Sequence, residues 1–403
     1  MTEMEQTFDL GIVGAGPAGT YLALRAAGQG KKVLLFDPKA PWEKPCGGGI
    51  THKAWSRFPI LADPGIERNE SLSSIQISPS GRFFVIDQGP PLLMVSRQSL
   101  GRVMLEAAIN AGAVHRPLAV KKVEKSGTFT RLMTEQGDFA VRFVVGADGV
   151  HSVVRKAFLG SLPGDRTLAA VSQFYEGGPG DPTMIRVTPF SGYAWAFPRK
   201  NCLAVGVGAM GPGPDLKAEL VRFTQEFFPE RKPLGGVQGA VLPYLKNWAA
   251  YRERRIGAGW ALIGDAAGFC DTLTGEGILY AVWSADLLAD AYLNGNLRSY
   301  EKAWRKAFGP HLLAGALAAH RLYSAKNVDL FFTALTVCPS FHKVFAEYVW
   351  NLPSYVFLLR RFLAALPRAL CEWRQFKKSG GDIDPSRLGE FSALADKVNF
   401  HWE

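Results

Sequence analysis

A short apolar stretch, Phe8-Asp9-Leu10-Gly11-Ile12-Val13, runs straight into Gly14-Ala15-Gly16-Pro17-Ala18-Gly19. No other feature of the chain narrows the choice of fold so far. A GxGxxG pattern alone is weak evidence. Here it follows a strand-like run and opens a small-residue, helix-like segment over 18–28. A second strand-like run, Lys32-Val33-Leu34-Leu35-Phe36-Asp37, then ends in an acid about twenty residues after the turn. That context predicts a βαβ unit built to bind a dinucleotide. Glycine lets the backbone approach a pyrophosphate, which sits where a helix N-terminus offers unpaired N–H groups. Gly14, Gly16, Pro17, Ala18 and Gly19 are therefore candidate cofactor contacts. Asp37 is the candidate acceptor for the adenosine ribose hydroxyls; the plain alternative is a strand cap before Pro38.

The length, 403 residues, suggests two to three domains, and 47% hydrophobic with 20% charged residues is globular rather than disordered. The five cysteines (46, 202, 270, 338 and 371) form no CxxC pair and are odd in number. A disulfide framework, a zinc ribbon and an iron–sulfur cluster are not expected, nor is any metal site. The acidic start (Glu3, Glu5) leads directly into a strand, without a signal-peptide pattern, so a reducing, cytoplasmic setting is expected. No apolar run is long enough to span a bilayer. The net charge of +10 is uneven: residues 301–378 hold 12 Lys/Arg against 4 Asp/Glu and are rich in aromatics. Such a surface suits an anionic membrane or lipid, and peripheral membrane contact through 327–378 is an expectation. Nucleic acid is not, because zinc-finger, RNP and basic-block motifs are missing.

Two later segments choose the dinucleotide. Phe143-Val144-Val145-Gly146-Ala147-Asp148-Gly149-Val150 and Trp260-Ala261-Leu262-Ile263-Gly264-Asp265-Ala266-Ala267-Gly268 resemble the second and third fingerprints of flavoproteins related to p-hydroxybenzoate hydroxylase. That resemblance implies FAD, with Asp148, Gly149, Gly264 and Asp265 in its site and Asp265 on the ribityl chain. It also implies that Gly275, Gly277 and Ile278 open a helix facing the flavin pyrimidine edge. A helix N-terminus there stabilises the negative charge of a reduced flavin. Arg97, at the start of an amphipathic helix, would reach FAD, and Val120 is grouped with it; the plain alternative for Arg97 is a solvated surface residue. The expected fold is α/β. An FAD-binding Rossmann-like domain (1–71, 95–160, 256–300) is interleaved with an antiparallel-sheet substrate domain (72–94, 161–255). A helical region, 301–403, follows, with Pro310 as a break or kink and Pro339, Pro353 and Pro367 between short helices. The tail from Ser379 is polar.

Lys44-Pro45-Cys46-Gly47-Gly48-Gly49-Ile50-Thr51 and Gly192-Tyr193-Ala194-Trp195-Ala196-Phe197-Pro198, with Gly206-Val207-Gly208 beyond, are similar to signatures of the geranylgeranyl reductase family. The resemblance implies an FAD-dependent oxidoreductase that reduces isolated C=C bonds of a prenyl chain, by hydride from flavin N5 plus a proton. It places Cys46 nearest the flavin as proton donor or flavin tuner, with Gly47 and Gly48 letting the backbone pass close to the ring. Tyr193, Trp195 and Phe197, at period 2, would form an aromatic wall against the substrate. The plain alternatives are a small core cysteine and an ordinary sheet stripe. The chain departs from the family at Thr272, where proline is common. Gly206-Val207-Gly208-Ala209-Met210-Gly211 repeats GxGxxG, but Pro212 and Pro214 leave no room for a helix to start. With no second dinucleotide unit, the reductant is expected to be transient NAD(P)H or a reduced ferredoxin as donor protein. The competing reading is a flavin monooxygenase or halogenase on the same fold; halogenases carry Trp-x-Trp-x-Ile-Pro where this chain has Tyr193, Trp195 and Phe197.

Overall fold

The computed structural model describes residues 7–87, 89–211, 214–351 and 354–379. Its largest sheet has a parallel centre of Val114–Arg116, Val33–Phe36, Phe8–Val13, Gly137–Gly146 and Trp260–Leu262. Val33–Phe36, Trp260–Leu262 and residues 143–146 of Gly137–Gly146 are apolar and buried on both faces, as parallel strands covered on both sides must be, while the edge strand Val114–Arg116 is half exposed. Antiparallel extensions, Lys122–Ser126 with Phe129–Thr134 and Ile256–Gly257, complete it. Helices Pro17–Ala27 and Ile278–Leu293 pack together against the sheet. Ala18, Ala23 and Ala26 keep the first helix slim enough for that approach.

A seven-stranded sheet is ordered Gln238–Pro243, Thr167–Tyr175, Leu203–Met210, Gly192–Pro198, Met184–Val187, Ser74–Ile77 and Phe83–Ile86. Its pairs are antiparallel except one: Met184–Val187 runs parallel to Ser74–Ile77, because these strands come from distant parts of the chain. Leu92–Val95, the next strand after Phe83–Ile86, pairs instead in a small sheet with Gly49–Ile50 and Arg68–Ser71. That places the glycine-rich loop before Gly49 at the junction of the sheets.

Among the described residues, five helices, Ser299–Ala307, Gly309–Leu322, Ala325–Val337, Pro339–Asn351 and Tyr355–Lys378, follow Ile278–Leu293. Pro310 and Pro339 open helices, where a missing N–H costs nothing. Pro367 differs from expectation: it lies inside the continuous helix Tyr355–Lys378. The turn before it is water-facing at Leu363, so solvent can take the carbonyl that loses its partner. Pro212, Pro353 and the tail beyond Ser379 lie outside the described residues. Among the described residues, no helix is long and apolar enough to cross a membrane.

Candidate functional site

One cavity of about 1360 Å³ runs between the sheets and the C-terminal helices. Its first end is the strand–turn–helix unit. Gly14 has φ +102°, and a Cβ there would stand 2.4 Å from the Ala147 carbonyl oxygen, so only glycine fits. Gly16 caps helix Pro17–Ala27 without any side-chain cap, and a Cβ on it would meet nothing within 4 Å. Pro17 and Ala18 line the same wall. Asp37 accepts the Ala15 N–H at 2.9 Å, and those of Lys39 and Ala40 at 2.8 and 3.1 Å. These use three of roughly four lone-pair sites on the carboxylate. Gly149 (φ +79°), Val120, Asp265, Gly275, Gly277 and Ile278 also line the cavity. Gly277 begins helix Ile278–Leu293, again with no side-chain cap.

Gly19 and Gly264 stand behind this wall. A Cβ on Gly19 would lie 1.8 Å from the Gly14 carbonyl oxygen, and one on Gly264 3.2 Å from Ala18 Cβ. Their work is close packing of turn, helix and sheet.

Among the cavity-lining side chains, Arg97 Nε, Asp148 Oδ1, Trp195 Nε1 and Thr272 Oγ1 are buried polar atoms with no hydrogen-bond partner. Buried polar atoms are normally paired, so such a group on one cavity marks a place for a polar ligand. Two uncapped helix N-termini face the same space, one suited to a pyrophosphate and one to an electron-rich ring edge. These residues fit FAD: Gly14 to Ala18 would hold the pyrophosphate, Asp37 the ribose, and Gly277 with Ile278 the flavin edge. Burial pushes the Asp148 carboxyl up to about 6, against the lowering bonds from Ser152 and the Val153 N–H.

Beyond the cradle, the Cys46 loop is tied down by Arg199, which is only 4% exposed. Its guanidinium donates to the Gly47 carbonyl at 3.2 Å, the Cys46 carbonyl at 2.6 Å and Glu43 at 2.7 Å. Glu43 also accepts from the backbone N–H groups of Arg97 and Gln98 and from the Ser96 hydroxyl. A single carboxylate thus joins the helix start at Arg97 to the glycine loop. Burial would raise the Glu43 carboxyl; Arg199 and Ser96 outweigh it and hold it below its ordinary value. Gly48 has φ +84°, and a Cβ there would stand 2.3 Å from the Val95 carbonyl oxygen. Burial would raise the Cys46 thiol too, but the Arg97 charge, the Gly48 N–H at 3.4 Å and Arg199 bring it below its usual range.

Tyr193, Trp195 and Phe197 face the cavity from strand Gly192–Pro198. Ala194 and Ala196 point the other way, into the core formed with Leu220, Phe223 and Phe227. The register explains the glycine pair that follows the aromatic motif: Tyr193 is opposite Gly208, and Trp195 opposite Gly206. A Cβ on Gly206 would lie 2.1 Å from Trp195 Cζ2, so the indole occupies the space a side chain would need. Phe197 treats the glycine loop likewise, 2.5 Å from a Cβ on Gly47. Tyr193 reaches further and donates to the Thr274 carbonyl.

The far wall comes from helices that carry no recognisable motif. Phe331, Phe332, Phe345, Val349, Leu358 and Phe362 make it apolar. The same helices clamp the loop between Gly268 and Gly277. Asp271, fully buried, lies 2.9 Å from His311 Nε2, and Tyr355 Oη lies 2.9 Å from both its oxygens. His311 Nδ1 accepts the Tyr355 N–H at 3.1 Å, so the ring proton sits on Nε2 and points at Asp271. Burial would raise the Asp271 carboxyl, but the His311 bond, Lys53 and the Leu273 N–H hold it below its ordinary value. Tyr323 donates to the Leu273 carbonyl at 2.6 Å. Lys53 pairs with Glu276 at 2.8 Å, and Thr51 donates to the same carboxylate. Sequence reasoning missed Glu43, Arg199, Asp271, His311 and Tyr355. A signal existed for Arg199, the charged residue directly after Pro198; His311 and Tyr355 stand 40 and 84 residues from Asp271 and gave none.

The fold and this cradle define an FAD-dependent oxidoreductase, and residues 7–176 match the family model of the FAD binding domain. The chain is 32% identical over 338 residues to the digeranylgeranylglycerophospholipid reductase of Methanothrix thermoacetophila, spanning 75% of this chain and 84% of that one. It is 29% identical over 299 residues to the geranylgeranyl diphosphate reductase of Rhodobacter capsulatus, spanning 68% and 72%. The solved structure of a geranylgeranyl bacteriochlorophyll reductase-like protein from Thermoplasma acidophilum superposes with a TM-score of 0.74 at 21% identity, covering 92% of this chain and 99% of that one. The chain belongs to the geranylgeranyl reductase family.

Proposed function

We propose that this protein reduces isolated carbon–carbon double bonds in the polyprenyl chain of a lipid, carried on a glycerol lipid or a diphosphate. The observation that supports this best is the continuity of one cavity, whose polar, glycine-lined end opens into an apolar, aromatic-walled end. An isolated alkene has no carbonyl to polarise it, so placement and a proton are what the protein must supply. Bound FAD, once reduced, supplies hydride to one alkene carbon. Trp195 and Phe197, backed by Gly206 and Gly47, hold the chain flat against the cofactor end. Cys46 Sγ, kept acidic by Arg97 and Arg199, gives its proton to the other carbon and regains one from solvent. Apolar residues from 331 to 362 exclude water from the rest of the chain. Electrons arrive in a transient encounter, from NAD(P)H or from a reduced ferredoxin.

Anaerobic single turnover tests the reading. The reduced, FAD-loaded protein is mixed with geranylgeranyl diphosphate or a geranylgeranylated glycerol phospholipid. The expected result is flavin reoxidation without oxygen and a product heavier by about 2 Da per reduced bond. Reoxidation of the same mixtures only on admission of air, with oxygen in the product, would replace this reading with oxygenase chemistry.

A further inference from the structure

The helix Tyr355–Lys378 is apolar over close to half its circumference, yet the protein covers only about half of that arc. At 3.6 residues per turn, Leu358, Phe362, Ala365, Ala369, Trp373 and Phe376 share an arc of about 80°. This arc faces the protein: Phe362 packs edge-on against Phe331 and Phe341, and Ala369 sits with Val337 and Cys338. The adjoining arc of about 80° holds Val356, Leu359, Leu363, Leu366 and Leu370, at spacings of three and four. These five side chains are between 39% and 60% exposed. Single exposed leucines are ordinary, but five in register on one helix form a surface meant to be covered.

Charge says what covers it. The helix carries six cations and one acid. Arg360 and Lys378 border the leucine stripe, and Arg374 with Lys377 closes its C-terminal end. Glu372, on the far side, is engaged by Ser340. Among the described residues, Arg361 alone of the six cations has an ion-pair partner, Glu347. Leucines with a one-signed basic border are the pattern of a helix lying in an anionic lipid interface. Protein hot spots are richer in Trp and Tyr, and this stripe has neither.

Position supplies the second argument. Val356 and Leu359, the first two members of the stripe, also line the main cavity, as does Leu322, itself 49% exposed at the end of helix Gly309–Leu322. The cavity therefore opens within the apolar stripe. We infer that helix Tyr355–Lys378 lies in the interfacial plane of an anionic membrane, with the mouth of the cavity against the leaflet. A polyprenyl chain then passes from lipid into the cavity without crossing water. Only the identity of that passenger rests on the function proposed above.

The test uses the full-length, FAD-loaded protein, and its first readout, vesicle binding, needs no turnover. It is sedimented with phosphatidylglycerol vesicles and with phosphatidylcholine vesicles at low and high salt. The wild type is expected in the pellet with phosphatidylglycerol at low salt, with at least a tenfold weaker association at high salt or with phosphatidylcholine. The double variant Leu363→Glu/Leu370→Glu is expected in the supernatant. Neither residue lines the cavity, so its turnover on detergent-dispersed substrate should match wild type, while turnover on vesicle-embedded substrate falls at least tenfold. A wild type that stays in the supernatant overturns the inference, and so does a variant that binds vesicles as wild type does. A wild-type dimer that the variant breaks, with no vesicle binding, would also overturn it and assign the stripe to a second copy of the chain. Vesicle binding without prenyl reduction would leave docking standing and sink the proposed function; reduction without binding would do the reverse.

Discussion

Replacing Gly206 by alanine tests the account of the aromatic wall. The new methyl would lie 2.1 Å from Trp195 Cζ2, 2.6 Å from Cε2 and 2.7 Å from Cη2. Carbon atoms settle at about 3.5–4.0 Å, so the gap must open by roughly 1.4 Å or more. Gly206 is held in the sheet between Thr167–Tyr175 and Gly192–Pro198, whereas the indole faces the cavity. The ring therefore moves, into the space where the substrate chain lies. Overpacking of this kind costs about 1–3 kcal/mol, a small fall in melting temperature for a chain of this size. Displacing a positioning group by more than 1 Å costs more in rate, about a hundredfold. Single-turnover reduction, with FAD content as a control for the cradle, should show that loss in Gly206→Ala. The colliding atoms belong to the six-membered part of the indole, so Trp195→Phe removes much of the clash. Gly206→Ala introduced on top of Trp195→Phe should then cost far less than it does in wild type. A wild-type rate for Gly206→Ala, or an equal loss in both backgrounds, would refute the packing argument.

If Cys46 donates the proton, turnover falls as pH rises through the thiol's titration, which begins below the usual thiol range; Arg199→Gln removes a charge favouring the thiolate and moves the inflection upward. An unmoved pH–rate profile would remove the thiol from the reaction. In the FAD-free protein, Asp148 binds a proton more tightly folded than unfolded (about 6 against 3.8), so its contribution is lost as pH rises from about 4 to about 6, at a cost of up to about 3 kcal/mol by pH 7. Asp148→Asn, which keeps an acceptor for the Val153 N–H, should be more stable than wild type at pH 7 and equal near pH 4 in denaturant titrations; parallel titrations at both pH values would contradict this. His311→Leu strips a buried partner from Asp271 and should destabilise by about 1–3 kcal/mol while weakening FAD retention. Adding Tyr355→Phe should cost less than its effect alone, since both bonds serve one carboxylate; strict additivity would argue against a shared network.

Legibility in the sequence follows how tightly each position is constrained. Gly14, Gly48 and Gly206 answer to contacts of 2.1–2.4 Å that any Cβ would violate, so each must be glycine, and each falls inside a short glycine-containing motif of the sequence. The FAD fold and the reductase family could be read from such letters, and the alternation of Tyr193, Trp195 and Phe197 marked one face of a strand. The parallel junction between Met184–Val187 and Ser74–Ile77 could not be read, because alternation shows which face is buried and not which strand lies alongside. Nor could the clamp on Asp271, whose partners are brought in by helix packing across long stretches of chain.

The apolar end of the cavity was hidden for a different reason. A wall for a hydrocarbon chain needs volume and dryness, with no directed hydrogen bond, and swaps among leucine, methionine and isoleucine usually cost less than about 1.5 kcal/mol. Phe331, Phe345 and Phe362 could each be another large apolar residue and still form that wall, so selection for the function leaves a hydropathy bias and no motif. The two halves of one cavity therefore differ in what they write into the sequence. The half that must approach a cofactor is written in glycines, and the half that must accept a lipid chain is written only as an excess of apolar residues on helices, which continues without interruption from Phe362 inside the cavity to Leu363 on the surface.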